Sequence, residues 1–267
     1  MALDTNLELI SSLLQALVIA LLVFRKIYKK LPLFSSYQVW LLLAYGASAA
    51  VASHYPLYYQ RIFVVASLID AAFMFCVLVE LSMAVLSPLR SALPRWTVFA
   101  VAALIAVAFA VIWPFAKPAG FNALQPLSQI QVHLETTTAV LRILFFLALA
   151  GCSQWLSLGW RDRELQIGTG LGFYSFVTLS VTLLHMNLGT SNHDALQTYH
   201  MLDQVAVGGY ILSLLYWAIS FAQKVPERRE FTPQMEGFLL ALAGNARSAR
   251  MALNSSSQEF SSKSKRD

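Results

Sequence analysis

Seven apolar runs, separated by short polar stretches, constrain this chain more than any other feature of its sequence. They cover residues 7–24, 34–52, 62–86, 96–115, 135–158, 167–188 and 201–221. At a rise of about 1.5 Å per residue, each run is long enough to cross about 30 Å of hydrocarbon. Inside a bilayer the backbone must satisfy its own polar groups, which leaves helices and closed barrels as the possible spans. The runs are continuous and do not alternate with period two, so an all-α membrane protein, a seven-transmembrane-helix bundle, is expected. Composition agrees: 12% of the 267 residues are charged, about half the share of a soluble domain. A soluble enzyme, a disordered chain and a disulfide-rich secreted domain are excluded on that ground.

Orientation follows from where the cations lie. Asp4 and Glu8 lie toward the front of the first run, while Arg25, Lys26, Lys29 and Lys30 follow it. That is the reverse of a signal peptide's charge order, so the run is read as a span that stays. With the N-terminus outside, all but three of the 19 Lys and Arg fall on the inner side, the exceptions being Arg61, Lys117 and Arg142. The positive-inside rule therefore predicts a multi-pass protein with its N-terminus outside and its C-terminus in the cytoplasm. The net charge of +5 is accounted for in the same way. The lipid bilayer, and not nucleic acid, is the expected partner.

Residues 1–222 thus form the transmembrane domain. In residues 223–253, Thr232 and Pro233 make a helix start, and Met235, Phe238, Leu239, Leu242 and Ala246 recur at helical spacing. An amphipathic helix is expected there, lying in the inner interface or docked on a cytoplasmic protein partner. Residues 254–267 are Ser-rich and charged, and read as a disordered tail. Two small-residue stretches, Ala44 to Ala50 and Gly168-Gly170-Gly172, read as helix-packing seams. Cys76 and Cys152 lie inside apolar runs and read as buried, inert thiols.

Any chemistry should reside in ionisable groups within the spans, because each is costly in hydrocarbon. These are Asp70, Glu80, Glu135, Arg142, His185, His200 and Asp203. The topology puts five of them in the outer third, Arg142 about 10 Å below the outer end of its helix, and Glu80 toward the inner side. A polar pocket in the outer half is implied. Glu135, Thr138 and Arg142 share one helix face, and so do His200, Asp203, Val207 and Tyr210. Arg142 is too deep to snorkel and is expected to pair with Glu135, Asp70 or Asp203, either as a register-fixing ion pair or as a ligand-facing group. His185, His200 and Asp203, with His133 as a further candidate, could supply metal ligands, although only His200 and Asp203 have ligand spacing on one helix.

Absent residues remove other readings. No lysine lies between Met201 and Phe221 to carry retinal. The glycines of 168–172 lack the lysine and preceding strand of a phosphate loop, so no cofactor is expected. Marks of the eukaryotic G-protein-coupled receptors, the acid-arginine-aromatic triplet and the Asn-Pro turn, are also missing.

Three segments carry a resemblance: Phe24 to Tyr37 (FRKIYKKLPLFSSY), Val79-Glu80-Leu81, and Leu134 to Leu183, in which Leu158-Gly159-Trp160-Arg161 leads into the glycine-rich sixth run. In these the chain resembles a group of uncharacterised seven-span membrane proteins common in acidobacterial genomes, over most of spans one to seven. It departs from that pattern at Asp70, where the group has a glutamate nearby. The resemblance implies a bacterial inner-membrane location and brings no established activity with it. The expected function is a non-enzymatic sensor or scaffold with an outer polar pocket, the alternatives being an intramembrane metal-dependent hydrolase or a proton- or ion-coupled small-molecule carrier.

Overall fold

The computed structural model describes residues 2–54, 59–86, 96–116, 126–151, 162–187 and 193–223. Among them are seven α-helices and no strand: α1 (Ala2–Phe24), α2 (Pro32–His54), α3 (Tyr59–Val85), α4 (Thr97–Ile112), α5 (Pro126–Gly151), α6 (Arg163–Asn187) and α7 (His193–Ala222). The expected amphipathic helix and tail lie, but for Gln223, outside the described residues. All the helices except α2 are long and apolar enough to cross a membrane, which marks a multi-pass membrane protein. At 23 residues α2 has the length, but Ser35, Ser36, Gln38, Ser48 and His54 interrupt its apolar run.

α5 and α7 outrun their apolar runs at the start. α5 begins at Pro126, nine residues before the expected limit, and α7 begins at His193, eight before it. Hydropathy reports only the part of a helix that needs hydrocarbon, and a mixed segment such as Pro-Leu-Ser-Gln-Ile-Gln continues the helix with polar residues outside it. Proline at the first helical position of both α2 and α5 sets the starting backbone angle without removing a needed donor. Hydroxyls within the helices are satisfied by the preceding turn, as where Thr137 donates to His133 O at 2.7 Å and Ser82 to Leu78 O at 2.8 Å.

Six helices form a closed ring in the order α1, α2, α3, α5, α6, α7, with α7 returning to α1, while α4 packs outside against α3 and α5. α1, α3, α5 and α7 start at one end of the bundle, termed the N-terminal end. Gln60 at the start of α3 donates to Ser128 at the start of α5, and Arg25 just past α1 donates to Ala222 O at the end of α7. The half of the ring away from the N-terminal end is solid, filled by fully buried Leu22, Phe34, Met74, Leu81, Ile167 and Phe221. The outer surface is apolar, with Phe99 77% and Leu104 70% exposed on α4, whereas Gln15, Gln38 and Arg142 lie inside. Apolar surface outward with polar groups inward is the arrangement a lipid solvent requires.

Glu80 does not enter the polar interior. Its carboxylate reaches from late α3 to the start of α2 and accepts the Leu33 and Phe34 N–H groups at 2.8 Å each. These are orphan donors of a helix N-terminus, where a negative charge is also favoured by the helix dipole. The Leu31-Pro32-Leu33-Phe34 run and Glu80, separate marks in the sequence, are thus one contact. Glu80→Leu is expected to lower stability by about 2–3 kcal/mol, with Glu80→Gln near half of that, since a bond to a charged group is worth about 1.5–3 kcal/mol; chemical denaturation in detergent measures it. At the same end, Arg163 donates to Ser220 O at 2.7 Å and Gln223 O at 2.9 Å. With Arg25, it caps the free carbonyls of α7. Two arginines read as orientation signals therefore also hold the last turn of α7.

The glycine seam is used on α6 and not on α2. A Cβ at Gly172 would come within 2.7 Å of the Phe146 ring of α5, and one at Gly170 would fall within the Trp217 indole of α7. Gly46, in the small-residue stretch of α2, has open space around it, so that glycine is not a point of close approach. Cys76 is exposed on the surface of α3 instead of buried, because its helix position faces away from the ring; Cys152 lies outside the described residues.

Candidate functional site

The half of the ring toward the N-terminal end is not filled. It holds a cavity of about 600 Å³ walled by all six ring helices, with no contribution from α4. That volume is in the range of small-molecule sites. Its floor is Leu171, Ser213 and Trp217, directly above the apolar core. Glu8, Tyr45 and Glu135 line it and are exposed, which places its mouth at the N-terminal end.

Packing explains why the space stays open. Ser11, Ser12, Ala44, Ser48, Ala66 and Ser67 are small residues along α1, α2 and α3 where those helices line the cavity, so they cannot fill it. A neutral polar network also ties the ring together. Gln15 of α1 donates to Gln38 of α2 at 2.8 Å (Oε1) and 2.9 Å (O), and the Tyr210 hydroxyl of α7 donates to Gln15 Oε1 at 2.5 Å. The Tyr174 and Tyr210 rings lie 5.3 Å apart, joining α6 to α7.

Three of the seven ionisable candidates meet in this cavity: Asp70 on α3, and Glu135 and Arg142 on α5. Thr138 lines it too, so the Glu135, Thr138 and Arg142 face turns inward. The expected direct ion pair is absent, since no carboxylate among the described residues reaches salt-bridge distance of Arg142. Arg142 is 8% exposed; its Nε donates to Thr138 O at 3.2 Å, its Nη2 to Thr138 Oγ1 at 3.5 Å, and its guanidinium lies 5.9 Å from the Tyr174 ring centre. These contacts hold the guanidinium against its own helix and against α6, short of salt-bridge distance from the acids. Asp70 and Tyr37 both line the cavity, and Asp70 Oδ1 is fully buried with no hydrogen-bond partner.

The other four lie elsewhere. Glu80 is the α2 cap. His185 and Asp203 form a pair of their own at 3.7 Å, with the Asp203 side chain 67% exposed, a setting in which an ion pair contributes little. His200 is exposed on α7, so the face it shares with Asp203 is not the face that carries Tyr210 into the cavity. Among the described residues no three His, Cys, Asp or Glu side chains group closely enough to hold a metal ion. His133 is engaged with the end of the α4 segment, its Nε2 lying 2.6 Å from Trp113 O and its ring stacked at 3.8 Å on the Trp113 indole.

Sequence reasoning that followed charge alone missed Gln15, Gln38, Tyr37 and Tyr174. A usable signal was present: Gln15 is an amide in the middle of the first apolar run, and a neutral hydrogen-bonding group in hydrocarbon needs a partner as a charge does. No family model matches the chain, and no curated protein and no solved structure matches it. The class is therefore set by the fold and cavity alone: a multi-pass helical membrane protein with a chamber in one half that Asp70, Glu135 and Arg142 line.

Proposed function

We propose that the protein is a seven-span receptor-like sensor of the bacterial inner membrane, with its N-terminus outside, that takes a small polar molecule into the cavity from the outer side. The observation that carries this reading is the division of the ring into two halves, a chamber of about 600 Å³ lined by Asp70, Glu135 and Arg142 at one end and a solid apolar core at the other. A pore would need a continuous polar path, and a scaffold would need no chamber. The positive-inside distribution supports placing the chamber outward, since Arg25, Lys26, Lys29 and Lys30 lie at the opposite end. α2 is the seventh span on this reading. Its exposed Leu43 and Val39 face lipid, and its polar residues Tyr37 and Ser48 face the chamber. A ligand that tightens the ring would alter the cytoplasmic end of α7 and, through it, the tail and a cytoplasmic protein partner.

Topology and access are tested together. In a background of Cys76→Ser and Cys152→Ser, Ser48→Cys at the cavity wall is expected to react in intact cells with a membrane-impermeant maleimide. Reaction only after the cells are opened would overturn the orientation, and no reaction in either state would overturn the open chamber. Concentrative uptake of a bound compound by liposomes holding the protein would replace the sensor by a carrier.

A further inference from the structure

We infer that the cavity is built for a small zwitterion of the amino-acid class, its carboxylate on Arg142 and its ammonium between Asp70 and Glu135. This deepens the sensor reading and rests on it. Opposite charges that line one buried space in a membrane protein normally close on each other, because an uncompensated charge there is costly. Here they do not. Arg142 is buried and uses only Nε and Nη2 within the protein, both toward Thr138, out of the five N–H donors a guanidinium carries. Asp70 lines the same cavity, and its Oδ1 is buried without a hydrogen-bond partner. Each charge thus has unused hydrogen-bonding capacity while the other lines the same chamber.

A molecule carrying both signs completes both groups at once. A carboxylate matches the guanidinium fork in two parallel bonds, and an ammonium supplies donors to the Asp70 and Glu135 carboxylates that line the same chamber. A purely anionic ligand would leave Asp70 and Glu135 facing each other without a cation, and a purely cationic one would repel Arg142. The Tyr174 and Tyr210 rings beside these groups leave an aromatic wall against which an apolar side chain can lie.

The test uses the purified full chain in nanodiscs and two matched series, each differing only in charge: phenylalanine, phenethylamine and 3-phenylpropanoate; leucine, 3-methylbutylamine and 4-methylpentanoate. Isothermal titration should show at least one amino acid binding about tenfold or more tighter than both of its singly charged analogues. Arg142→Met should bring that amino acid down to its amine analogue, and Asp70→Asn to its acid analogue, with Arg142→Lys intermediate. Unchanged melting of each variant shows that the loss is not one of folding. An amine or an acid that binds as tightly as its amino acid overturns the zwitterion and leaves the cavity reading standing. Binding by none of the six overturns the amino-acid assignment, while maleimide access at Ser48→Cys judges the chamber separately.

Discussion

Gly170→Leu is expected to lower the stability of the bundle in detergent by about 3 kcal/mol or more, and Gly170→Ala by about 1–2 kcal/mol, as overpacking of a filled site does. The cause is specific. The backbone of Gly170 lies against the Trp217 indole, and that indole is not free to withdraw. It is 2% exposed, its Nε1 donates to Gln166 O at 3.2 Å, and its edge packs on Phe34 with ring centres 5.4 Å apart. Ser213 adds a hydrogen bond to Gly170 O at 3.2 Å, so α6 and α7 cannot separate without breaking it. Any side chain at 170 must push α6 off α7 just below the cavity floor. Steady-state unfolding in a mixed detergent reads the loss, and Trp217→Phe combined with Gly170→Ala should recover part of it by removing the fused ring. A Gly170→Leu protein as stable as the wild type would mean that the two helices do not meet there.

Arg142 gives the second large effect, through the contrast of two substitutions. Arg142→Met should change stability by no more than about 1 kcal/mol, because no short ion pair is lost and the removed group is itself costly to bury. Arg142→Glu should cost more than about 3 kcal/mol, since it adds a further carboxylate to a chamber that already holds Glu8, Asp70 and Glu135. Like charges about 6 Å apart at an effective dielectric of about 20 repel by roughly 3 kcal/mol. Thermal melts of the two proteins side by side measure the difference. Equal losses for both would show that Arg142 acts by packing against Tyr174 and Thr138 rather than by its charge. A loss above about 3 kcal/mol for Arg142→Met would show that it compensates the acids as tightly as a direct pair.

The ring also explains why only some of the costly residues could be assigned from the sequence. Depth along a span is readable from topology, so Asp70, Glu135 and Arg142 were legible as a group at related levels. Direction around the helix axis is readable only within one helix, so the inward face of Glu135, Thr138 and Arg142 was legible but its partners were not. His200, Asp203 and Tyr210 have compatible spacing, yet only Tyr210 reaches the cavity. Over the intervening turns the helix face drifts, and the rotation of α7 is set by its packing on α1 and α6. Glu80 looked like its fellow carboxylates until α2 was placed against α3, and then its two hydrogen bonds made it a cap.

By itself, the sequence determined that the chain is helical and lives in a membrane, because the scarcity of charge and the length of seven apolar runs are properties of the polymer and its solvent. It also determined the close-packing role of the glycines on α6, since small residues are what lipid-embedded helices need to approach. The tertiary structure alone decided the rest. It left α4 outside the ring, filled one half of the ring and opened the other, and set Arg142 and Asp70 facing a common space without touching. The physical reason is that lipid specifies only which groups must be hidden from it. Where they go once hidden is chosen by the packing of one helix against another.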